Sequence, residues 1–429
     1  MMVDKPSNLL PKLRFSEFRS AGDWQFKPLS DIAKSISEKV GSKKCVPMSV
    51  TTGIGLISQE EKFGRTIAGS SYKNYIRLQA NDFAYNKSAT KEFPQGYIAR
   101  YSDTRDAAVP NSIFDCFRPD IAAVNPEYLD HLFQRNHHGQ WLRKYITVSA
   151  RAHGALSVSN DDLMSMPIPL PPESVSGLEQ QKIADCLGSL DSLIAAEGRK
   201  LEALRQHKQG LMQQLFPRPG ETQPRVRFPE FQSKQEWRVA PIGELFETAT
   251  GGTPDRTRPD YYGGNVPWVT TSIINFNVIE FTKESISTAG LSNSSAKVFP
   301  KQTVLIALYG QGKTRGKVAI LGIEAATNQA CAAILPSEEI DPSFVFLNLS
   351  GRYQEMRANS NSGGQKNLSQ TLVRDLPLAY PECRNEQNRI AECLTALDNL
   401  ITARAMKLEA LRQHKKGLLQ KLFPSLEEL

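Results

Sequence analysis

Cysteine is scarce in this sequence, and its few copies are scattered. There are 6 in 429 residues, and they form neither a CxxC pair nor a cluster with histidine. Small secreted domains and structural zinc sites rely on such clusters. The six positions are Cys45, Cys116, Cys186, Cys331, Cys383 and Cys393. Their spacing argues against a disulfide scaffold and a zinc site, and it favours a reducing, cytoplasmic location.

Long hydrophobic runs are also missing. A helix that spans a bilayer needs roughly 18 or more apolar residues, whereas the longest apolar stretches, 303–308 and 330–335, are the size of a strand. The N-terminal sequence MMVDKPSNLLPKLRF has no apolar core behind its charges, so a secretory signal is not predicted. The sequence therefore predicts that the chain does not enter a membrane.

No complete catalytic motif is present. Residues 307–314, ALYGQGKT, approximate a phosphate-binding loop, but the RGKVAIL that follows favours a strand over the required helix. NPEY at 125–128 lacks the second proline of the Asn-Pro-Pro-Tyr motif of amino-methyltransferases, and no Pro-Asp pair is followed by the acid-x-Lys of a nuclease. The histidines lack carboxylate or cysteine neighbours at ligand spacing. We therefore expect no catalytic residue and no bound metal or cofactor in this chain.

Positive charge is present but not concentrated. The formal net charge is +7 and the isoelectric point is about 9.0, yet the chain has no polybasic run or tail. An excess of this size permits a polyanionic partner without requiring one.

Two nearly identical segments organise the chain. Residues 179–217 and 386–424 are identical at 26 of 39 positions, at an offset of 207 and without gaps. A shorter pair lies upstream, PKLRFSEFRSAGDWQFKPL at 11–29 and PRVRFPEFQSKQEWRVAPI at 224–242, at an offset of 213. The sequence is therefore an internal duplication. The large blocks that follow the shorter motifs, roughly 30–178 and 243–385, show no comparable match.

Each repeated segment predicts a long helix. Its apolar side chains recur at steps of four and three, which average to the 3.5-residue period of a coiled coil. Ser176 and Glu179 have the spacing of a capping box, and Pro217 and Pro424 end the two helices. The predicted helix-pairing residues are Ile183, Leu187, Leu190, Ile194, Leu201, Leu204, Leu211, Leu215, Ile390, Leu394, Leu397, Ile401, Leu408, Leu411, Leu418 and Leu422.

These two apolar stripes can bury each other within one chain. The alternatives are that each stripe packs onto its own block as an ordinary core helix, or that it pairs with a second chain. The stripe itself does not distinguish a parallel from an antiparallel pair.

The large blocks predict a mixture of strands and helices. Residues 76–87, 302–310 and 316–322 have the pattern of strands and hairpins. Residues 125–146 and 341–358 predict helices, because each begins with a capping residue followed by proline.

Basic and aromatic residues alternate at two places in these blocks. Residues 62–100 hold seven basic residues against two acids, with four tyrosines between them, and residues 310–317 hold three basic residues and no acid. Such side chains can neutralise phosphates and touch base edges. A solvated surface around a hairpin is the alternative interpretation.

Several stretches resemble type I restriction–modification specificity (S) subunits. The repeated KLEALRQHKQGLMQQLFP at 200–217 and KLEALRQHKKGLLQKLFP at 407–424 resemble the helices of that family, as does PKLRFSEF…W. In the second block, GGTPDRTRPDYYGGNVPWVTTSII at 251–274, GQGKTRGKVAI with ATNQACAAILP at 310–336, and GGQKNLSQTLVRDLPLAYPE at 363–382 resemble its target recognition domain. The first block carries KSISEKVGSKK and KNYIRLQANDFAYNKSAT instead, so it resembles a different class of recognition domain.

The resemblance implies an α+β protein. Two mixed α/β target recognition domains would be joined by two long antiparallel coiled-coil helices, with an internal pseudo-twofold duplication. The implied boundaries are 1–178 for the first recognition domain, 179–217 for the central helix, 218–385 for the second recognition domain and 386–429 for the C-terminal helix.

The resemblance also implies a non-catalytic DNA-reading subunit. Each domain would read one half of a split, asymmetric site in double-stranded DNA, and the helices would set the unread spacer and dock two modification subunits. S-adenosylmethionine is expected on those subunits, and ATP and magnesium on the restriction subunits. Adding four residues within 190–200 should then change the spacer before either half-site.

Candidate DNA-binding residues lie in the basic stretches and in the matched motifs. In the first block they are Lys73, Arg77, Lys87 and Lys91; in the second they are Thr253, Trp268, Thr270, Lys313, Arg315, Gln365 and Lys366. Lysine and arginine can hold phosphates or guanine edges, and glutamine can pair with adenine. For Trp268, the alternative to a DNA-binding role is a position in the hydrophobic core. The alternative functions are a coiled-coil adaptor that binds proteins, whose affinity would not depend on salt, and a self-contained enzyme.

Overall fold

The computed structural model divides the chain into two compact units. It describes residues 9–51, 55–146, 156–218, 220–310, 313–358 and 367–426. Unit 1 comprises Met1–Gly198 and Met406–Leu429, and unit 2 comprises Arg199–Ala405. The two division points are equivalent, because 198 and 405 differ by the 207-residue offset of the repeat. Each unit therefore contains part of both repeated segments. The boundaries predicted from the sequence instead separate the repeated segments from the recognition domains, and they remain a prediction.

The elements of the first half end with a long helix. In chain order they are β1 (Gln25–Pro28), α1 (Leu29–Ile32), β2 (Ala33–Ile36), β3 (Val46–Thr51), β4 (Gly55–Ser58), α2 (Gln59–Phe63), β5 (Ile76–Leu78), β6 (Phe83–Asn86), β7 (Tyr97–Arg100), β8 (Ala107–Val109), β9 (Phe114–Pro119), α3 (Pro126–Gln134), α4 (His137–Leu142), α5 (Asn160–Met164), β10 (Pro167–Leu170) and α6 (Ser176–Leu215).

The second half ends in the same way. Its elements are β11 (Arg238–Pro241), α7 (Ile242–Leu245), β12 (Thr248–Thr250), β13 (Tyr262–Val269), β14 (Asn277–Ile279), β15 (Glu284–Ile286), α8 (Thr288–Ser292), β16 (Val298–Phe299), β17 (Val304–Ala307), β18 (Val318–Leu321), β19 (Ala325–Thr327), β20 (Cys331–Ile334), α9 (Pro342–Gly351), α10 (Tyr353–Ala358), α11 (Gln370–Arg374), β21 (Pro377–Tyr380) and α12 (Arg384–Leu422). Short 3-10 turns lie at Ser16–Phe18, Ser70–Asn74, Pro229–Phe231, Pro259–Tyr261 and Thr271–Ile273.

The two long helices, α6 and α12, confirm the prediction made from the repeated segments. They span 40 and 39 residues and end just before the predicted prolines, Pro217 and Pro424. The predicted capping box is wrong: Ser176 is the first helical residue, and its hydroxyl accepts a hydrogen bond from Gln180 at 2.8 Å. Glu179 does not cap the helix because Arg14 binds its carboxylate.

The long helices pair within each unit and run antiparallel. In unit 1, Asp191 and Glu197 of α6 bind Lys415 and Lys407 of α12 at 2.5 and 2.9 Å, so the residue numbers rise on one helix as they fall on the other. In unit 2, Lys208 of α6 binds Asp398 at 2.6 Å. The pair Lys208–Asp398 is the repeat equivalent of Lys415–Asp191.

The apolar stripe of the helices is buried or half-buried. All sixteen predicted helix-pairing residues are buried or half-buried. In unit 1, Ile183 and Leu187 share one apolar cluster with Leu419 and Leu422. In unit 2, Leu215 shares another with residues 390 and 394. These clusters also contain side chains of the blocks, so the ends of the stripe serve both the helix pair and the core of each unit.

Both blocks have the same fold, although their sequences show no clear match. One sheet has the order β4-β3-β8-β5 in unit 1 and β15-β13-β19-β16 in unit 2. In each, the central pair is parallel and the outer pairs are antiparallel. A second sheet has the order β2-β9-β6-β7 and β12-β20-β17-β18, with antiparallel pairs throughout. Unit 2 adds β14 to this sheet, parallel to β18.

A two-stranded ribbon closes each block against its helix. β1 pairs with β10 in unit 1, and β11 pairs with β21 in unit 2, both antiparallel and over four residues. The shorter repeated motif supplies the first strand of each ribbon. The ribbon therefore brings the start of a block beside its end, where the long helix begins.

The predicted helices at 125–146 and 341–358 are each broken in two. α3 stops before Asn136, which has a left-handed backbone with a φ of 64°. The side chain of Asn136 packs so tightly against Gly139 that a Cβ there would meet its Oδ1 at 2.3 Å. In unit 2 the break falls at Arg352, between α9 and α10. The predicted N-terminal caps, Asn125 and Asp341, are confirmed.

None of the described helices is both long enough and apolar enough to cross a bilayer.

Candidate nucleic-acid interface

Each block is fixed to its long helix by a buried ion pair. Arg14 donates to both carboxylate oxygens of Glu179 at 2.8 and 2.7 Å, and Arg227 donates to those of Glu386 at 2.6 and 2.7 Å. Both carboxylates are almost fully buried, with side chains 1% and 0% exposed. Bidentate pairs of this kind fix orientation as well as distance.

The glutamine after each of these glutamates holds the cap of a block helix. Gln180 accepts from the backbone N–H of Asn125 at 2.8 Å, and Gln387 accepts from that of Asp341 at 2.7 Å. Repeated sequence therefore produces repeated anchoring, and the exposed loops of both units are carried on the same scaffold.

A group of polar side chains lies at the carboxyl edge of the parallel strands β13 and β19 in unit 2. We call Thr253, Thr270, Ser272, Asn328 and Gln329 the carboxyl-edge cluster. The loops after parallel strands meet at one edge of a sheet, a common place for binding residues. Here the Thr270 and Ser272 hydroxyls lie 2.7 Å apart, and the Thr253 hydroxyl donates to Oε1 of Gln329.

Close backbone contacts hold the loop that carries Thr253. Gly252 N donates to Thr327 O at 2.8 Å, and Trp268 Nε1 donates to Gly252 O at 3.2 Å. A Cβ on Gly251 would lie 1.9 Å from Thr327 O, and one on Gly252 would lie 2.3 Å from the Ser295 hydroxyl, so both positions require glycine. Trp268 is only 1% exposed, so it is a core residue and supports the loop from beneath the cluster.

Arg256 covers the rings beneath this loop. Its guanidinium carbon lies 4.6 Å from the ring centre of Tyr262 and 5.1 Å from that of Trp268, within the range of a cation–π contact. Glu284 pairs with the guanidinium at 3.2 Å, and the Arg256 side chain is more than half exposed. A positive group is therefore held at the surface next to the carboxyl-edge cluster.

The β17–β18 hairpin supplies the basic residues of unit 2. Lys313 is exposed, and its carbonyl accepts from the Tyr353 hydroxyl at 2.5 Å. Arg315 is half-buried, with its guanidinium donating to Arg357 O at 3.3 Å. Lys317 donates to Asn275 Oδ1 at 2.7 Å. The hairpin prediction for residues 302–322 is confirmed, because β17 and β18 pair antiparallel.

The hairpin and the carboxyl-edge cluster lie side by side. Leu308 N, at the end of β17, donates to Ala330 O at 2.8 Å, next to Gln329. The structure thus brings Thr253 and Thr270 to the same edge as the hairpin that carries Lys313. Gln365 and Lys366 lie outside the described residues.

The candidates of unit 1 separate into exposed and paired residues. Lys73 and Lys91 are exposed. Arg77 binds Asp106 and Glu38, each at 2.8 Å, and hydrogen bonds to these two carboxylates, Asp106 first, raise the pKa of the guanidinium. Lys87 binds Asp115 at 3.1 Å, with both side chains about one-fifth exposed. Arg77 and Lys87 are therefore occupied by structural ion pairs.

Sequence reasoning missed Asn328, Gln329 and Arg256. Two of them follow β19 directly in the stretch ATNQAC, where polar residues interrupt two buried strands. That interruption is a detectable sign of a strand end, but which strand lies beside it is a matter of sheet topology. Within the described residues, no group of three or more histidine, cysteine, aspartate or glutamate side chains could hold a metal ion.

Two copies of one fold, each fixed by a buried ion pair to a long helix, define a two-domain protein, and unit 2 carries polar loops at a sheet edge. The family model for the type I restriction modification DNA specificity domain matches the chain twice, at residues 21–206 and 234–413. These matches cover most of the sequence. The chain belongs to this family.

Similar proteins agree with this assignment. A Methanocaldococcus jannaschii protein described as the specificity subunit of the type I restriction enzyme MjaX is 25% identical over 421 residues, covering 93% of this chain and 92% of that protein. The crystal structure of a type I restriction–modification S subunit from M. genitalium has a TM-score of 0.58 at 15% identity, covering 97% of this chain and all of that one. A structure described as the basis of complex assembly and conformational transition of the type I R-M system has a TM-score of 0.57 at 17% identity. The match covers 94% of this chain and 97% of that one.

These findings decide between the functions left open by the sequence. The chain is a DNA specificity subunit, which is a non-catalytic role, and the family gives no support to a protein-binding adaptor. The fold prediction of two α/β recognition domains on a long helix pair is confirmed.

Proposed function

We propose that each unit reads one half of a split, asymmetric sequence in double-stranded DNA. The observation that carries this proposal is one two-sheet fold present twice, with different residues in its exposed loops. A duplicated reader with identical loops would read a repeated half-site. The different loops therefore support two different half-sites.

The helix pair sets the number of base pairs left unread between the half-sites. A helix of 40 residues is roughly 60 Å long at 1.5 Å per residue, and one turn of B-DNA is roughly 34 Å. A helix pair of this length is suited to readers on successive turns of the DNA. The anchors at Glu179 and Glu386 support this role because they fix each block to the beginning of a long helix.

The helices also dock two modification subunits, which carry S-adenosylmethionine and methylate adenine. Restriction subunits that use ATP and magnesium complete the assembly, and the complex works in the cytoplasm. The relatives support this proposal, since they are named as parts of type I restriction enzymes.

Mapping of methylated adenines tests the function directly. The chain would be co-expressed with its modification subunit in a host without other adenine methylation, and the modified sites would be read from the genome. The expected result is a motif in two parts with unspecified bases between them. A single uninterrupted motif, or no methylation by an assembled complex, would overturn the proposal.

Salt dependence separates DNA reading from protein binding. Binding of the complex to a labelled duplex should weaken steeply as salt rises, because contacts to phosphates release counterions. Affinity that does not respond to salt between 50 and 200 mM would favour an adaptor instead.

A further inference from the structure

We propose that Gln329, oriented by Thr253, reads an adenine in the half-site bound by unit 2. This inference rests on the proposed function and assigns one base contact to one side chain. Gln329 lies in the matched stretch ATNQACAAILP without being a sequence candidate; its position in the sheet and its hydrogen bond single it out.

Gln329 is held on a rigid element and faces solvent. It is the second residue after β19, whose three residues are all buried and pair with β13 and β16. Backbone hydrogen bonds on either side, from Asn328 N to Val269 O at 3.0 Å and from Leu308 N to Ala330 O at 2.8 Å, fix the turn. The side chain itself is exposed. Recognition residues need such a combination of fixed backbone and free functional group.

The Thr253 hydroxyl holds the Gln329 amide in place. It donates to Oε1 of Gln329. The Nε2 hydrogens and the second lone pair of Oε1 remain to be used. Adenine presents an acceptor, N7, beside a donor, the N6 amino group, in the major groove. The oriented amide matches both groups at once.

The other bases match this amide less well. Guanine presents two acceptors at the same edge, so only the Nε2 hydrogens would be satisfied and Oε1 would face O6. Cytosine and thymine each offer one group of a single kind, which leaves half of the amide unpaired. The preference for adenine follows from this pairing and not from the size of the side chain.

Arg256 completes the site as a contact to the phosphate backbone. It is held over Trp268, and Trp268 in turn bonds the carbonyl of Gly252, the residue before Thr253. A phosphate contact positions the duplex without reading its sequence. The base-reading amide is thus bonded to this loop, and the positioning cation is part of it.

The equivalent place in unit 1 carries a different residue. β8 corresponds to β19 in strand order and pairing, and the second residue after it is Asn111, also exposed. Asparagine has the same functional group on a shorter side chain. The two units therefore place a side-chain amide at equivalent positions, but the glutamine side chain is longer than the asparagine. Such a difference is expected for readers of unlike half-sites.

The test compares the methylation motif of the intact complex across a set of substitutions. Gln329→Ala should lower methylation of the preferred sites by about 10-fold, within the 5- to 150-fold range of a bidentate contact, and should relax one adenine position in one half-site. Thr253→Val should relax the same position by a smaller factor. Thr253→Ser, which keeps the hydroxyl, should preserve the wild-type preference.

Gln235→Ala provides the matched control, since Gln235 is exposed and lies outside the cluster. It should leave every position unchanged. An unchanged motif for Gln329→Ala, or relaxation at a base other than adenine, would overturn the inference while leaving the split motif intact. If the wild-type complex shows no split motif, the proposed function fails instead, so the two failures are distinguishable.

Discussion

Units 1 and 2 have one fold built from two different interiors. The strand order and pairing agree in both sheets, yet the strands of unit 1 bury Phe83 and Phe117 where the equivalent strands of unit 2 bury aliphatic side chains and a cysteine. By contrast, the anchors to the long helices are the same residue types at equivalent positions. Burial can be satisfied by many apolar combinations, whereas a bidentate ion pair needs particular partners in a particular geometry.

The anchors themselves differ in a hydrogen bond to the glutamate. In unit 2, Glu386 accepts from Trp237 Nε1 at 3.1 Å in addition to Arg227. In unit 1, the equivalent Trp24 is buried and its Nε1 has no hydrogen-bond partner among the described atoms. The two anchors are therefore alike in arrangement but differ in the donors that the glutamate has, and we expect them to differ in strength.

Removal of the anchoring arginine should give the largest effect. Arg14→Ala leaves the Glu179 carboxylate buried without its partner, which typically costs about 3–5 kcal/mol. Arg227→Ala should cost less, because Trp237 still donates to Glu386 and because the Arg227 side chain is 14% exposed against 6% for Arg14. Hydrogen exchange followed separately in peptides of each unit measures the two losses. Equal losses, or a larger loss for Arg227→Ala, would contradict the comparison.

Acid should destabilise unit 1 through two buried histidines. His137 and His138 each bond a backbone carbonyl through Nε2, at 2.7 and 3.2 Å, and have no described hydrogen-bond partner at Nδ1. Burial lowers the pKa of His137 to about 3 and that of His138 to about 4, from 6.5. The unfolded chain then binds more protons than the folded one below pH 6.5.

Stability of unit 1 should therefore be complete above pH 6.5 and fall as pH drops toward 4. The loss should reach about 2 kcal/mol per histidine at pH 5, since one pKa unit corresponds to about 1.4 kcal/mol. Hydrogen exchange of α3 and α4 as a function of pH measures this loss. His137→Gln should remove the part of the pH dependence of stability that His137 contributes. If the variant kept the full dependence, the assignment to His137 would be wrong.

Substitution of the two tryptophans should show the smallest difference. Trp237→Phe removes ring volume and also a hydrogen bond to a buried carboxylate, and such a bond is worth about 1.5–3 kcal/mol. Trp24→Phe removes a similar volume but no hydrogen bond, so unit 1 should lose less. The difference between the two free energies of unfolding isolates the indole N–H. Trp24→Phe costing as much as Trp237→Phe would show that volume alone decides.

Much of the scaffold could be predicted from the sequence because its signals are local. The 3.5-residue period gave both long helices, and Asn125–Pro126 and Asp341–Pro342 gave the starts of α3 and α9. The breaks at Asn136 and Arg352 were missed, since an asparagine in a left-handed conformation leaves no mark in an apolar pattern. The shared fold of the blocks was predicted only through the family resemblance and not from their own residues, because equivalent strands need only apolar side chains and not the same ones.

The candidate site was predicted less well than the scaffold. Charge and aromatic content pointed to Lys73, Lys91 and Lys313, which are exposed, but equally to Arg77 and Lys87, which are tied to carboxylates by strands distant in sequence. Gln329 was overlooked because its partner, Thr253, lies 76 residues away. Such pairs depend on sheet topology, which a single sequence does not reveal.

The most direct test of the account lengthens the helix pair without touching either reader. Seven residues inserted after Gly198 and seven after Ala405 keep the apolar stripe in phase, because they equal two steps of 3.5. They add roughly 10 Å to each helix, or about 3 base pairs at 3.4 Å each. A seven-residue insertion after Gly220, an exposed turn outside the helices, is the control. The account predicts a methylation motif with both half-sites unchanged and a spacer longer by about 3 base pairs; an unchanged spacer, or altered half-site bases, would contradict it.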